Sequence, residues 1–245
     1  MRGLLEILRT DAERQKFEAR VVLVCGLWTA PRAWAPFASF LAHRGWSSVA
    51  VGRARAAGAR DLLRSLLDLC SHESTPPFVV GHDAGGTLAL YLENVRAVVC
   101  LAPLPYGTSW PHPVLRSWRY RLGRRLFRRA RPPRRTASEV LEIPPGCLLP
   151  ETTDWSASLR SLPPPPRGET PRLVLLGGRD PCVPAAFWRE RATLLGAELE
   201  TVEESGHGLP WNAHWPDVVS RVHRWMVRQG GEELLLLRGD EDLRE

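Results

Sequence analysis

Short apolar runs rich in β-branched residues alternate along the chain with longer stretches whose apolar positions recur at helical spacing. Residues 21 to 25, 47 to 51 and 78 to 80 read as strands. Residues 34 to 44 and 60 to 71 read as helices, the second carrying Leu62, Leu63, Leu66 and Leu67 on one side. A further helix is expected over 87 to 91 and a strand over 95 to 101. After a long interruption the rhythm resumes with a strand at 173 to 176, a helix near 185 to 195, a strand at 198 to 202 and a helix from 216 to 229. Strands that are apolar throughout are buried on both faces, as in a parallel sheet flanked by crossover helices. The pattern predicts an α/β fold with a mostly parallel central sheet and helices on both faces.

The interruption runs over residues 103–171, where prolines and arginines stand in place of buried strands. It reads as a short cap or lid inserted between an N-terminal part of the core, residues 1–102, and a C-terminal part, residues 172–230, with a tail over 231–245. The tail carries four consecutive leucines among charges, and fraying is its default state. Inside the insertion, Leu115, Trp118, Leu122 and Leu126 keep helical spacing and leave arginine on the opposite side, as a basic amphipathic helix would.

Composition adds limits. With 44% hydrophobic and 24% charged residues over 245 positions, the chain has the balance of a globular protein with one core. No run approaches the roughly 18 apolar residues that cross a bilayer. The start turns charged after Leu8, too soon for a secretory leader, so a cytoplasmic protein is expected. Cys25, Cys70, Cys100, Cys147 and Cys182 are odd in number and widely spaced, which points to neither a disulfide framework nor a zinc site. No motif asks for a metal or a cofactor. The net charge of +6 is concentrated, because residues 116 to 135 hold ten arginines and no acid. A solvated basic face is the simplest account. The sharper one is a docking surface for something acidic, whether an anionic lipid, a phosphorylated cofactor arm or an acidic carrier protein. No recognition module or stacking platform for nucleic acid accompanies the arginines.

Three motifs carry the chemistry. In Val79-Val80-Gly81-His82-Asp83-Ala84-Gly85-Gly86 a strand runs into a G-x-D-x-G turn that is followed at once by helix formers. Asp83 stands at its apex, although an aspartate there can also do no more than cap the helix. Gly177-Gly178-Arg179-Asp180-Pro181 places Asp180 just past a strand end, and Ser205-Gly206-His207-Gly208 places His207 after the next strand. Read alone, Asp180 could cap a helix and His207 could be an ordinary loop histidine.

Together, in this order and at these strand ends, the motifs resemble the α/β-hydrolase family, whose nucleophile elbow, acid and histidine follow one another in the same sequence. The resemblance implies a triad of Asp83, Asp180 and His207. The loop Cys25-Gly26-Leu27-Trp28 is similar to the family's oxyanion loop, which implies backbone N–H donors at Leu27 and Ala84, with Cys25 standing where a histidine is usual. Aspartate at the apex, where serine is commonest, resembles the branch that includes epoxide hydrolases and haloalkane dehalogenases. A carboxylate attacks saturated carbon to give an alkyl-enzyme ester, whereas against an ordinary ester it would have to form an anhydride. An epoxide-hydrolase-like reaction on an apolar small molecule is the first expectation. Dehalogenation is the weaker one, since Ala84 and Leu27 occupy positions where halide-holding Trp or Asn is usual. Non-hydrolytic or carrier-linked chemistry with Asp83 as a base, such as cyclisation, elimination or thioester release, is the other alternative. A non-catalytic protein that kept the fold is the reading outside enzymology. Candidate substrate contacts are Trp28 and the insertion tyrosines Tyr106 and Tyr120, the last two as the proton-donating pair that the epoxide-hydrolase resemblance implies.

Overall fold

The structure is a computed structural model that describes residues 5–53, 58–108, 112, 122, 125, 134–149, 155–183 and 185–231. Its strands are β1 (Leu5–Thr10), β2 (Val21–Val24), β3 (Ser48–Arg53), β4 (Phe78–His82), β5 (Ala97–Leu101), β6 (Arg172–Gly177) and β7 (Glu198–Val202). They form one seven-stranded sheet in the order β1-β3-β2-β4-β5-β6-β7. Only β1 runs antiparallel to its neighbour, β3. The remaining pairs are parallel, with Val24 level with Gly81 and His82 level with Leu101, so the strand ends that follow β2, β4 and β5 lie side by side at one edge.

Every residue of β2, β4, β5 and β6 is buried, including Arg172 and His82, as expected for strands covered on both faces. The helices that cover them are α1 (Ala35–His43), α2 (Ala59–Ser71), α3 (Ala84–Ala89), α4 (Arg134–Glu139), α5 (Trp155–Arg160), α6 (Ala185–Leu195) and α7 (Trp215–Met226). Helix α1 packs with α7, and α2 packs with α3 and α5. No helix among the described residues is long and apolar enough to cross a membrane.

Several boundaries differ from the sequence pattern for local reasons. Strand β1 was not anticipated. It is an edge strand whose middle residues are exposed, including Ile7 and Leu8, so it shows neither a continuous apolar run nor clean alternation. The helix expected from residue 34 is preceded by a 3-10 turn over Pro31–Trp34, where the fixed proline φ starts the turn. The last helix yields to a wide turn at Val227–Gly231, ended by Gly230 at φ 100°. Between β5 and β6 the described residues add no strand to the sheet and contribute α4 and α5. The arginine-rich helix expected around residues 115–126 lies largely outside the described residues.

Aromatic packing closes the sheet at the edge opposite those strand ends. Trp46 is wholly buried, stacks on Phe17 at 3.7 Å between centroids and meets Phe78 edge-on at 5.2 Å. These three residues enter β3, β2 and β4, so one cluster ties the starts of the central strands. Trp46→Ala is expected to cost about 3–5 kcal/mol in urea unfolding. A loss below about 1 kcal/mol would show that the cluster does not hold these strands.

Candidate active site

Strand β4 ends at His82 and α3 starts at Ala84, which leaves Asp83 alone to reverse the chain. It does so at φ 54° and ψ −125°, a conformation costly for any residue with a side chain. The turn closes because Gly81 has no Cβ: one added there would run into the Gly85 carbonyl and the Gly86 amide. Backbone bonds fix the apex. The Asp83 amide donates to the Leu101 carbonyl at 3.0 Å, and the Asp83 carbonyl accepts from the Thr87 amide at 3.1 Å. Among the described residues, the other non-glycine positions with positive φ are Trp28, Ala102 and Glu142. Trp28 follows Leu27, Ala102 follows Leu101, and Glu142 holds the histidine loop, so backbone strain gathers around one place.

The Asp83 side chain does not cap α3. Its Oδ2 accepts the Leu27 amide at 2.8 Å, the Ala84 amide also faces the carboxyl group, and Oδ1 is buried without a hydrogen-bond partner. Gly26 permits this approach, since a Cβ there would lie 2.5 Å from that of Asp83. The Leu27 amide therefore holds one oxygen of Asp83, the Ala84 amide lies at the same carboxyl group, and Oδ1 makes no hydrogen bond.

His207 and Asp180 complete the cluster from the ends of β7 and β6. The Nδ1–H of His207 donates to Asp180 Oδ2 at 2.9 Å, and both side chains are 1% exposed. Asp180 Oδ1 is occupied by the amides of Cys182 at 2.7 Å and Val183 at 3.3 Å, which orient it. Burial alone would raise the Asp180 carboxyl, but the His207 charge, its hydrogen bond and the Cys182 amide hold it below the usual range. Burial alone would lower His207. The Asp180 charge and hydrogen bond, reinforced by the charges of Asp83 and Glu142, carry it up to about 9. Asp83 is pushed up to about 7 by burial, against the pull of His207 and the Leu27 and Ala84 amides. His207 Nε2 is buried without a partner.

The potential ligand atoms of Asp180, Cys182 and His207 fall within 4.8 Å of one another. Asp180 Oδ2 and His207 Nδ1 are already bonded to each other, however, and burial keeps the Cys182 thiol protonated. The set is arranged as a proton relay, with poor donors for a metal.

The sequence matches the alpha/beta hydrolase family over residues 21–222. The chain belongs to that family. Among solved structures this alpha/beta hydrolase is similar to a monoacylglycerol lipase of Paleococcus ferrophilus, at 15% identity and TM-score 0.69 over 91% of this chain and 99% of that one. It is also similar to an esterase of Thermogutta terrifontis (17%, TM-score 0.67, 92% and 93%) and a monoglyceride lipase of Saccharomyces cerevisiae (13%, TM-score 0.68, 92% and 92%). No curated protein matches the sequence.

The remaining expected contacts of this alpha/beta hydrolase separate. Trp28 is buried beside Leu27 and faces His112, with ring centroids 5.8 Å apart. Tyr106 sits against α6. Its ring packs edge-on against Phe187 and Trp188 of α6 and borders a different cavity, because the chain after Leu104 turns toward that helix. Tyr120 lies outside the described residues.

Three residues that pattern reading did not single out belong to the site. His82, wholly enclosed and lowered to about 3 first by burial and then by the His207 charge, is neutral, and its Nε2–H donates to the His207 carbonyl at 2.9 Å. Its place next to Asp83 at a strand end was the signal available. His112 is buried within electrostatic reach of His207 and Asp180. Glu142 reaches in from the insertion, accepting the Gly208 amide at 2.7 Å and the Asn212 side-chain amide at 3.1 Å, and nothing in its local sequence announces this.

The site stores a pH-dependent instability. Because burial lifts Asp83 from 3.8 to about 7 in the folded state, folding favours its protonated form, and stability is withdrawn as pH rises between those values. Asp83→Asn keeps an oxygen for the Leu27 amide and removes the charge. It is expected to stabilise the protein at pH 8 by roughly 2–4 kcal/mol, at about 1.4 kcal/mol per pKa unit, with the gain vanishing near pH 4. Thermal unfolding across pH checks this, and a gain that is flat with pH would contradict the burial assignment.

Proposed function

We propose that this alpha/beta hydrolase uses Asp83 as a nucleophile toward an electrophilic saturated carbon, most simply that of an epoxide on an apolar small molecule. The observation that carries this reading is the division of labour between the two Asp83 oxygens: Oδ2 is held by the Leu27 amide at 2.8 Å, and Oδ1 is buried without a partner. The attacking oxygen is then Oδ1. Its bond to carbon forms as the ring C–O bond breaks on the far side, where the departing oxygen takes a proton. That proton comes from solvent water, since burial and the His207 charge keep the His112 imidazole neutral.

The second half-reaction follows from the charges. Esterification removes the Asp83 charge, one of the influences that raise His207, so its pKa falls when a base is needed. Neutral His207, oriented through Nδ1 by Asp180, takes a proton from water at Nε2. The hydroxide adds to the ester carbon, and the oxyanion develops on Oδ2, where the Leu27 amide already points and the Ala84 amide is at hand. Collapse expels the ester oxygen, which receives the proton held on His207 to complete the diol, and the freed carboxyl group ionises back to the carboxylate. Asp83 and His207 are each under 3% exposed. A cavity of about 960 Å³ beside the histidine loop, bordered by Glu142 and Trp211, offers space next to it.

The names of the solved relatives describe lipases and esterases. At this identity they speak for the fold, and the apex aspartate separates this chain from ordinary ester attack. His207→Gln, incubated with a panel of epoxides and alkyl halides, is expected to accumulate one substrate mass on Asp83, read by intact mass and peptide mapping. Single turnover of the unaltered enzyme in heavy-oxygen water should leave the first product unlabelled and label Asp83. Adduct formation should rise with pH through about 7, as the carboxyl ionises. Label appearing directly in the first product, with no adduct on any panel member, would overturn the nucleophilic role.

A further inference from the structure

A second gathering of charge lies away from these residues. On the flank of the sheet, between the proline run before β6 and helix α6, a cavity of about 450 Å³ is bordered by Tyr106, Arg160, Arg167 and Arg191. Its lining includes the apolar Leu162 and Leu195, and no acidic residue among the described ones. None of Asp83, Asp180 and His207 reaches it.

The guanidinium groups are poorly neutralised. Arg167 spends its Nε on the Leu194 carbonyl. Arg191 lies 3.8 Å from the solvent-exposed carboxylate of Glu190, while its Nε is buried without a partner. Behind Leu195 a fourth guanidinium, that of Arg172, is 2% exposed. Its Nη1 donates to the Leu195 carbonyl at 3.3 Å, and its Nε and Nη2 have no partner. Glu93, whose charge reaches Arg172, is exposed and forms no ion pair with it among the described residues. A guanidinium buried without a counter-anion costs several kcal/mol, which carbonyl contacts of this length do not offset. The Tyr106 hydroxyl lies in the field of both Arg191 and Arg172.

We propose that this cavity binds a phosphate monoester carrying an apolar chain or ring. Three arginines at the wall and one behind it call for more than a single negative charge, and a phosphate monoester brings about −1.5 to −2 at pH 7 with three acceptor oxygens. Guanidinium groups meet such oxygens in pairs of parallel hydrogen bonds, and Tyr106 adds an O–H donor. The apolar Leu162 and Leu195 give the organic body a place, and the volume falls in the roughly 300–1,000 Å³ range of small-molecule sites. The proposal does not depend on the chemistry at Asp83.

Titration calorimetry on the full chain tests it, with octyl phosphate below its micelle concentration, inorganic phosphate and octanol as probes. Octyl phosphate is expected to bind at least about tenfold more tightly than inorganic phosphate, and octanol not measurably, since both the head and the body contribute. Arg160→Gln and Arg191→Gln, at exposed and half-buried wall positions that folding should tolerate, are each expected to weaken octyl phosphate by about tenfold or more. Arg44→Gln, on the exposed end of α1, should leave binding unchanged. Vesicles with and without phosphatidic acid separate the sources. Sedimentation that is lost in Arg191→Gln identifies a lipid headgroup as the monoester, and its absence beside octyl phosphate binding identifies a soluble one. Equal weakening by Arg44→Gln, octanol binding as well as octyl phosphate, or no octyl phosphate binding at all would each overturn the proposal.

Discussion

The candidate site depends on one contact between a carboxylate and a backbone amide. Asp83 Oδ2 meets the buried Leu27 N–H at 2.8 Å, and that bond joins the turn after β4 to the loop after β2. It requires a glycine at 26 because a Cβ would strike Asp83, a left-handed aspartate because β4 and α3 leave one residue for the turn, and adjacent parallel strands to align the two loops. The buried apolar strands are thus the precondition of the chemistry. They hold two backbone segments rigidly enough for an amide and a carboxylate to meet.

Burial gives this arrangement opposite effects on stability and reactivity. The same desolvation that lifts Asp83 to about 7 strips a hydrated carboxylate of the water that would blunt it as a nucleophile. Asp180 avoids that fate despite comparable enclosure, because two amides and an imidazole N–H satisfy it. Two carboxyl groups on one sheet edge are pushed apart in pKa by the number of donors each receives, and this difference separates a group suited to react from one suited to orient.

How much of this was legible in the sequence depended on whether a feature is local. Asp83, Asp180 and His207 stand at strand ends marked by glycine, and short buried strands are visible as apolar runs, but their reading as one triad came from the family resemblance. Leu27 and Ala84 followed from the family resemblance, since backbone donors leave no side-chain signature. Strand β1 was hidden because an exposed edge strand has a mixed composition. That Tyr106 packs on α6 was not legible, because no local pattern says which way an insertion turns. Glu142 and His82 act across 66 and 125 positions of sequence, on Gly208 and the His207 carbonyl, distances at which only the folded chain brings groups together.

The two charged regions also differ in how far the fold itself satisfies them. At Asp83 a buried negative charge is answered by the Leu27 and Ala84 amides and the His207 imidazolium, which offset part of its desolvation and leave the carboxyl at about 7. At Arg172 a buried positive charge is answered by one carbonyl at 3.3 Å, with its other donors unmet, and the arginines that line the neighbouring cavity add charge of the same sign. Like charges brought together raise the free energy of the folded state, and among the described residues the exposed Glu93 reaches Arg172 only through its charge, without an ion pair. An anion from outside the chain is the component that would make the second region as complete as the first.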